Sequence, residues 1–126
     1  MQSPIASVTR CLAFGALLAD AIRAFAAPTR VAILASGGLS HSVGEPMMGD
    51  VDEDFDRGCI ARFQQGPAAP LIDYLNENRM ARAGNGAAEV RYWVTAHGAA
   101  GCRGFQLFYY ESIPIVYTGC GFAQWF

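Results

Sequence analysis

Arg30-Val31-Ala32-Ile33-Leu34-Ala35-Ser36-Gly37-Gly38-Leu39-Ser40-His41 is an apolar run that empties into a glycine turn and ends on a histidine. The short continuous run, bounded by a turn signal, predicts a buried strand over Val31 to Ala35. Gly37 and Gly38 allow backbone angles that other residues resist. Open α/β sheets place their sites beyond the carboxyl ends of the strands, and loops on a rigid scaffold carry many catalytic groups. His41 is therefore a candidate for chemistry. On local pattern alone an equal reading stands beside it: a tight turn whose Ser36, Ser40 and His41 satisfy nearby backbone groups.

Upstream, Val8, Leu12, Ala16, Ala19 and Ile22 recur at helical spacing and predict an amphipathic helix from about Ala6 to Ala26, ended by Pro28. Arg10 and the apolar residues after it imitate a secretory leader, but Asp20 and Arg23 interrupt the imitation. No run reaches the ~18 to 20 apolar residues of a membrane span. Helix, strand and glycine turn in that order fit an α/β layer pattern.

Downstream, residues 42–50 read as an irregular loop, and Asp52 as the N-cap of a helix with Glu53 and Asp54 at its positive end. Phe55, Cys59, Ile60 and Phe63 form one apolar stripe on it, expected as core packing rather than a cofactor box. Gly66-Pro67 closes that helix, a short one is expected over Ala69 to Asn76, and residues 76–84 read as an exposed basic connection. A helix is expected over Ala87 to His97, stopped by Gly98. Gly104 to Tyr110 reads as a strand, Ile113 to Tyr117 as an edge strand because Pro114 cannot donate to a ladder, and Thr118 to Gly121 as a turn. The aromatic ending Phe122-Ala123-Gln124-Trp125-Phe126 is expected to pack down or to continue.

A chain of 126 residues, 52% hydrophobic and 16% charged, suits one globular domain. Nine basic against eleven acidic residues leave a net charge of -2, which argues against a nucleic-acid partner. Cys11, Cys59, Cys102 and Cys120 form no C-x-x-C pair, so free, mostly buried thiols in a cytoplasmic setting are expected. GxGxxG, Walker, HExxH and GxSxG motifs are all missing. Glu89, Trp93 and His97 share a helix face, but eight residues span ~12 Å along a helix, too far for Glu89 and His97 to bind one ion. Taken singly, Glu89 reads as a first-turn acid and His97 as a base at the helix C-terminus, each stabilised by the helix dipole.

Four motifs in order carry a resemblance: Ser36 to His41, Gly49 to Asp56, Ala88 to Trp93, and Tyr109 to Pro114 with Thr118 to Gly121. They resemble the class III, LigB-type extradiol ring-cleavage dioxygenases, and Pro4, Ser7, Arg10 and Gly15 resemble the segment leading into the glycine turn there. The resemblance spans essentially the whole chain and implies an α/β fold, helices packed on a central mixed sheet, with residues 1–126 forming the C-terminal half of such a domain. It implies extradiol opening of a catechol-type substrate with O2 and a non-haem Fe(II) held by two histidines and a glutamate. The matching positions imply that Glu89 is the carboxylate ligand. His41 is implied as the acid/base, a duty that suits imidazole because its unperturbed pKa of about 6.5 lies near working pH. Gly37, Gly38, Ser40 and Trp93 fall in the implied substrate pocket. The two histidine ligands come from the N-terminal half in that family, and nothing in this chain matches that half. A partner is therefore expected, either an N-terminal-half chain or, through exposed apolar surface, a homo-oligomer. Protocatechuate, gallate and phenylpropionate-type catechols all stay open as substrates. The alternative is a non-catalytic remnant serving as a structural or binding module.

Overall fold

A computed structural model describes residues 5–126, and Pro4 lies outside the described residues. Helix α1 spans Val8–Ala24 and begins where the Ser7 hydroxyl accepts from the Arg10 backbone N–H. Its buried face is Val8, Leu12, Gly15 and Ala19, whereas Ala16, expected inward, turns to solvent. Gly15 replaces it because α1 crosses helix α5 (Val90–Ala99) at contact distance: a side-chain carbon on Gly15 would strike the Thr95 carbonyl, and one on Gly98 would strike the Leu12 carbonyl.

Helix α2 covers Glu53–Gln65, capped by Asp52, whose Oδ1 accepts from Phe55 N at 2.9 Å, and closed by Gly66 at φ 95°. Phe55, Cys59, Ile60 and Phe63 are all buried, as the stripe predicted. Helix α3 is Ala68–Tyr74. The expected exposed connection after it is instead helix α4, Glu77–Arg82. Asn76 caps it by accepting from Arg79 N at 3.0 Å, and Met80 and Ala83 enter the core, so a cap and two buried apolar side chains order a basic stretch. A 3-10 turn, Asn85–Glu89, leads into α5, so the helix expected from Ala87 starts later and ends past Gly98.

Strands β1 (Phe105–Ile113) and β2 (Thr118–Trp125) pair antiparallel, with Phe105 opposite Trp125 and an irregularity between Leu107 and Tyr109. The connection is a 3-10 turn, Pro114–Val116, followed by Tyr117 at φ 65°. Thr118 to Gly121 is therefore strand and not turn, and Pro114 sits where no ladder bond is asked of it. The carboxyl end packs down: Trp125 lies edge-on to Phe63 at 6.0 Å and to Trp93 at 6.1 Å, with Phe105 stacked on Phe63 at 5.4 Å. These rings weld the hairpin to α2 and α5.

The architecture is α/β, helices packed with a two-stranded antiparallel sheet. The sheet is not mixed, because Val31 to Ala35 forms no strand, and Leu34 is 91% exposed. A strand must satisfy its N–H and C=O groups on a neighbour, and among the described residues β1 and β2 use their ladder on each other. Of the cysteines only Cys59 is fully buried, and the other three are half-buried. Among the described residues no helix is long and apolar enough to cross a membrane.

Candidate functional site

The glycine turn is held by residues from α2, α5, β2 and the 3-10 turn before α5. The Gly37 carbonyl accepts from Trp93 Nε1 at 3.2 Å, and Gly38 N donates to Glu89 Oε2 at 3.0 Å. Ser40 is gripped at every polar group. Its N–H donates to Asp56 Oδ1 at 2.7 Å, its hydroxyl donates to Asp56 Oδ2 at 2.9 Å and accepts from Asp52 N at 2.9 Å, and its carbonyl accepts from Gly119 N at 3.0 Å.

His41 follows as an isolated bridge to Thr118, with its carbonyl accepting from Gly86 N at 3.0 Å. Its Nδ1 lies 2.9 Å from the Leu39 carbonyl. A carbonyl can only accept, so Nδ1 carries the proton, and in the neutral ring Nε2 keeps a lone pair. Nε2 stands 3.8 Å from Glu89 Oε2, with the His41 side chain 14% exposed and that of Glu89 47%. Glycine at two neighbouring positions makes this placement feasible. A side-chain carbon on Gly38 would come within 2.8 Å of the His41 ring, and one on Gly86 would run into Nε2 itself.

Two cavities border the glycine turn and Glu89. One of about 380 Å³ is walled by Leu34, Gly37, Gly38, Trp93, Thr118 and Phe122. The other, about 570 Å³, is lined by Phe14, Ile33, Ala88, Glu89 and Tyr92. The first has a volume suited to an aromatic ring, with mostly apolar walls and the glycine backbone at its edge.

Of the residues expected in the site, His41, Glu89, Gly37, Gly38 and Trp93 come together here. Ser40 does not: it is fully buried with both hydroxyl functions used, so it supports the turn from behind rather than lining the pocket. Glu89 sits at the N-cap position of α5 rather than within its first turn, and its side chain makes no cap bond but accepts from Gly38 N. His97 is fully buried, with Nε2 donating to the Gly66 carbonyl at 2.8 Å and Nδ1 accepting from Trp125 Nε1 at 2.9 Å. Burial pushes its pKa below the ordinary value, so it stays neutral and structural.

Asp56, Gly86 and Thr118 were not singled out as site residues. Asp56 had a readable signal, because it falls inside the apolar stripe of α2, one residue after Phe55 and four before Ile60, and a charge on that face needs partners. Besides Ser40 it accepts from Tyr110 OH at 2.8 Å. Desolvation raises its pKa, against the lowering by those hydrogen bonds, and the Tyr110 hydroxyl is likewise pushed up by burial and by the carboxylate. Gly86 and Thr118 had no local signal, since both act through contacts to a residue distant in sequence.

Among the described residues no group of three or more His, Cys, Asp or Glu side chains is arranged to hold a metal ion. His41 and Glu89 supply one imidazole and one carboxylate, so these residues alone do not make up a set of two histidines and one carboxylate. Residues 1–121 match the family LigB, described as the catalytic LigB subunit of aromatic ring-opening dioxygenase.

Proposed function

The chain belongs to the LigB family of aromatic ring-opening dioxygenases, and on that premise we propose that it takes part in extradiol opening of a catechol-type ring by O2 and non-haem Fe(II), in the cytoplasm. The observation that carries the reading is the meeting of His41 Nε2 and Glu89 Oε2 at 3.8 Å, beside an apolar cleft edged by Gly37 and Gly38.

In this proposal Glu89 is the one metal ligand among residues 1–126, and the two histidines are supplied from outside them, by a partner polypeptide or by a further segment of the protein. The metal, when bound by the completed set, would bring catecholate and O2 together. His41 takes the proton of a substrate hydroxyl at Nε2 and gives one back as the ring opens, with Nδ1–H anchored on the Leu39 carbonyl throughout. Trp93, locked to the Gly37 carbonyl, and Phe122 form walls that keep water from the ring. That partner or segment would also cover Leu34 and its exposed apolar neighbours Val31 and Ile33.

Anaerobic reconstitution with Fe(II) and a panel of catechols, followed by admission of air, tests it, using the chain alone and mixed with N-terminal-half polypeptides of the same family. A coloured ring-opened product from the mixture, abolished by His41→Gln, is the expected result. No product in any combination would end the enzymatic reading and leave the alternative of a binding module. That alternative has its own support in the exposed Leu34 run, and it predicts stoichiometric association indifferent to His41→Ala.

A further inference from the structure

A carboxylate in the middle of a helix's apolar stripe is expensive to bury. Asp56 is fully buried on α2, and every hydrogen bond it accepts comes from the turn or from the strand behind it: Ser40 N, Ser40 Oγ and Tyr110 OH. Packing would be better served at that position by an apolar side chain, so the placement calls for another explanation.

The explanation lies in a single peptide plane. The Ser40 N–H and the Leu39 carbonyl belong to the same trans peptide unit, so they point in opposite directions. Asp56 Oδ1 holds the N–H at 2.7 Å, which turns the carbonyl the other way, onto His41 Nδ1 at 2.9 Å. The Oδ2 contact to the Ser40 hydroxyl and the bond from Gly119 N to the Ser40 carbonyl stop the unit from swivelling. With that carbonyl in place, hydrogen on Nδ1 is the tautomer that satisfies it, and Nε2, 3.8 Å from Glu89 Oε2, keeps the lone pair.

We propose that Asp56 is a positioning residue that selects the tautomer and orientation of the His41 imidazole by gripping the Leu39–Ser40 peptide, without touching the ring or a substrate. The functional meaning of this rests on the acid/base reading of His41, but its measurement does not. Packing alone would not require that both bonds fall on one peptide.

The test uses the full chain labelled with 15N, at a pH where the His41 ring is uncharged, and reads the shifts of Nδ1 and Nε2. The wild type should show hydrogen on Nδ1. Asp56→Leu, which suits the apolar stripe but offers no acceptor, should move the tautomer ratio towards Nε2–H by about tenfold, the worth of one net hydrogen bond. Asp56→Asn keeps an acceptor oxygen for Ser40 N–H and should stay within about twofold of wild type, a rescue that loss of general stability would not predict. A folded Asp56→Leu with an unchanged ratio, or a wild type with hydrogen on Nε2, overturns the proposal. Should Asp56→Leu fail to fold, trans-hydrogen-bond couplings in the unmodified chain decide. Couplings from Ser40 N to the Asp56 carboxyl carbon and from Nδ1 to the Leu39 carbonyl carbon support the relay, and their absence overturns it. Ring-opening assays are separate: an Asp56-dependent tautomer with no ring opening would sink the catalytic reading and leave the positioning intact.

Discussion

The chain's two histidines sit in regions that treat the same side chain in opposite ways. His97 lies in the aromatic core between α2, α5 and β2, fully buried, with both ring nitrogens bonded to the protein. His41 lies against Gly38 and Thr118, two residues that wall a cleft, with one nitrogen tied to a carbonyl and the other 3.8 Å from a carboxylate. An imidazole with both nitrogens engaged inside the fold has nothing left to exchange with a substrate. One with a fixed donor and an open lone pair is prepared to take a proton. The difference is made by neighbours: Gly66 and Trp125 close one ring in, whereas Gly38 and Gly86 keep space around the other.

The sharpest way to break the comparison is to exchange the costs. His41→Gln should lower ring opening in the reconstituted enzyme by about 10²–10⁴-fold, the range of general acid/base catalysis, while leaving the melting temperature nearly unchanged. His97→Ala should do the reverse, costing roughly 3–5 kcal/mol in denaturant titration, because it opens a cavity and strands the Gly66 carbonyl and the Trp125 N–H. Equal loss of stability in both variants would erase the distinction. Next in size, Gly86→Ala should displace the His41 ring and lower activity by about 10²-fold through misplacement, with far less effect on unfolding.

A smaller effect separates the two by pH. Burial lowers the His97 pKa, so the unfolded chain takes up a proton near 6.5 that the native core refuses. The stability this provides is complete above that pH and is lost as the pH falls through it towards the depressed native value. His97→Gln should flatten that part of the stability profile. Asp56 has the opposite sign, since its raised pKa means its contribution is present in acid, below the ordinary carboxylate value, and lost as the pH rises through the raised one. Least of all, Asp20→Asn, which removes an exposed pairing with Arg23, should move stability by under about 0.5 kcal/mol.

Much of the helical layer is legible in the sequence. The stripe of Phe55, Cys59, Ile60 and Phe63, the Asp52 cap and the Gly66 stop are local signals, and each acts within one or two turns of helix. The strand expected at Val31 to Ala35 failed because a strand is not a local object: its composition states a preference, and only a neighbour can accept its backbone bonds. The basic stretch 76–84 departs in the other direction, since burial of Met80 and Ala83 outweighs its charges. In the site, His41 and Glu89 stood out by resemblance, but Ser40 was placed in the pocket when it belongs to the support behind it.

What the sequence determined by itself was the inventory: a glycine turn ending on histidine, a glutamate in the first turn of an expected helix, and apolar faces at helical period. Those depend on residue type and short spacing. Only the tertiary structure decided that Glu89 reaches the turn, that Gly86 makes room for His41, and that Asp56 holds the peptide whose carbonyl chooses the proton's place on the ring. Each is an angle or a distance between segments far apart in the chain, set by how α2, α5 and the β1–β2 hairpin pack around a shared aromatic core.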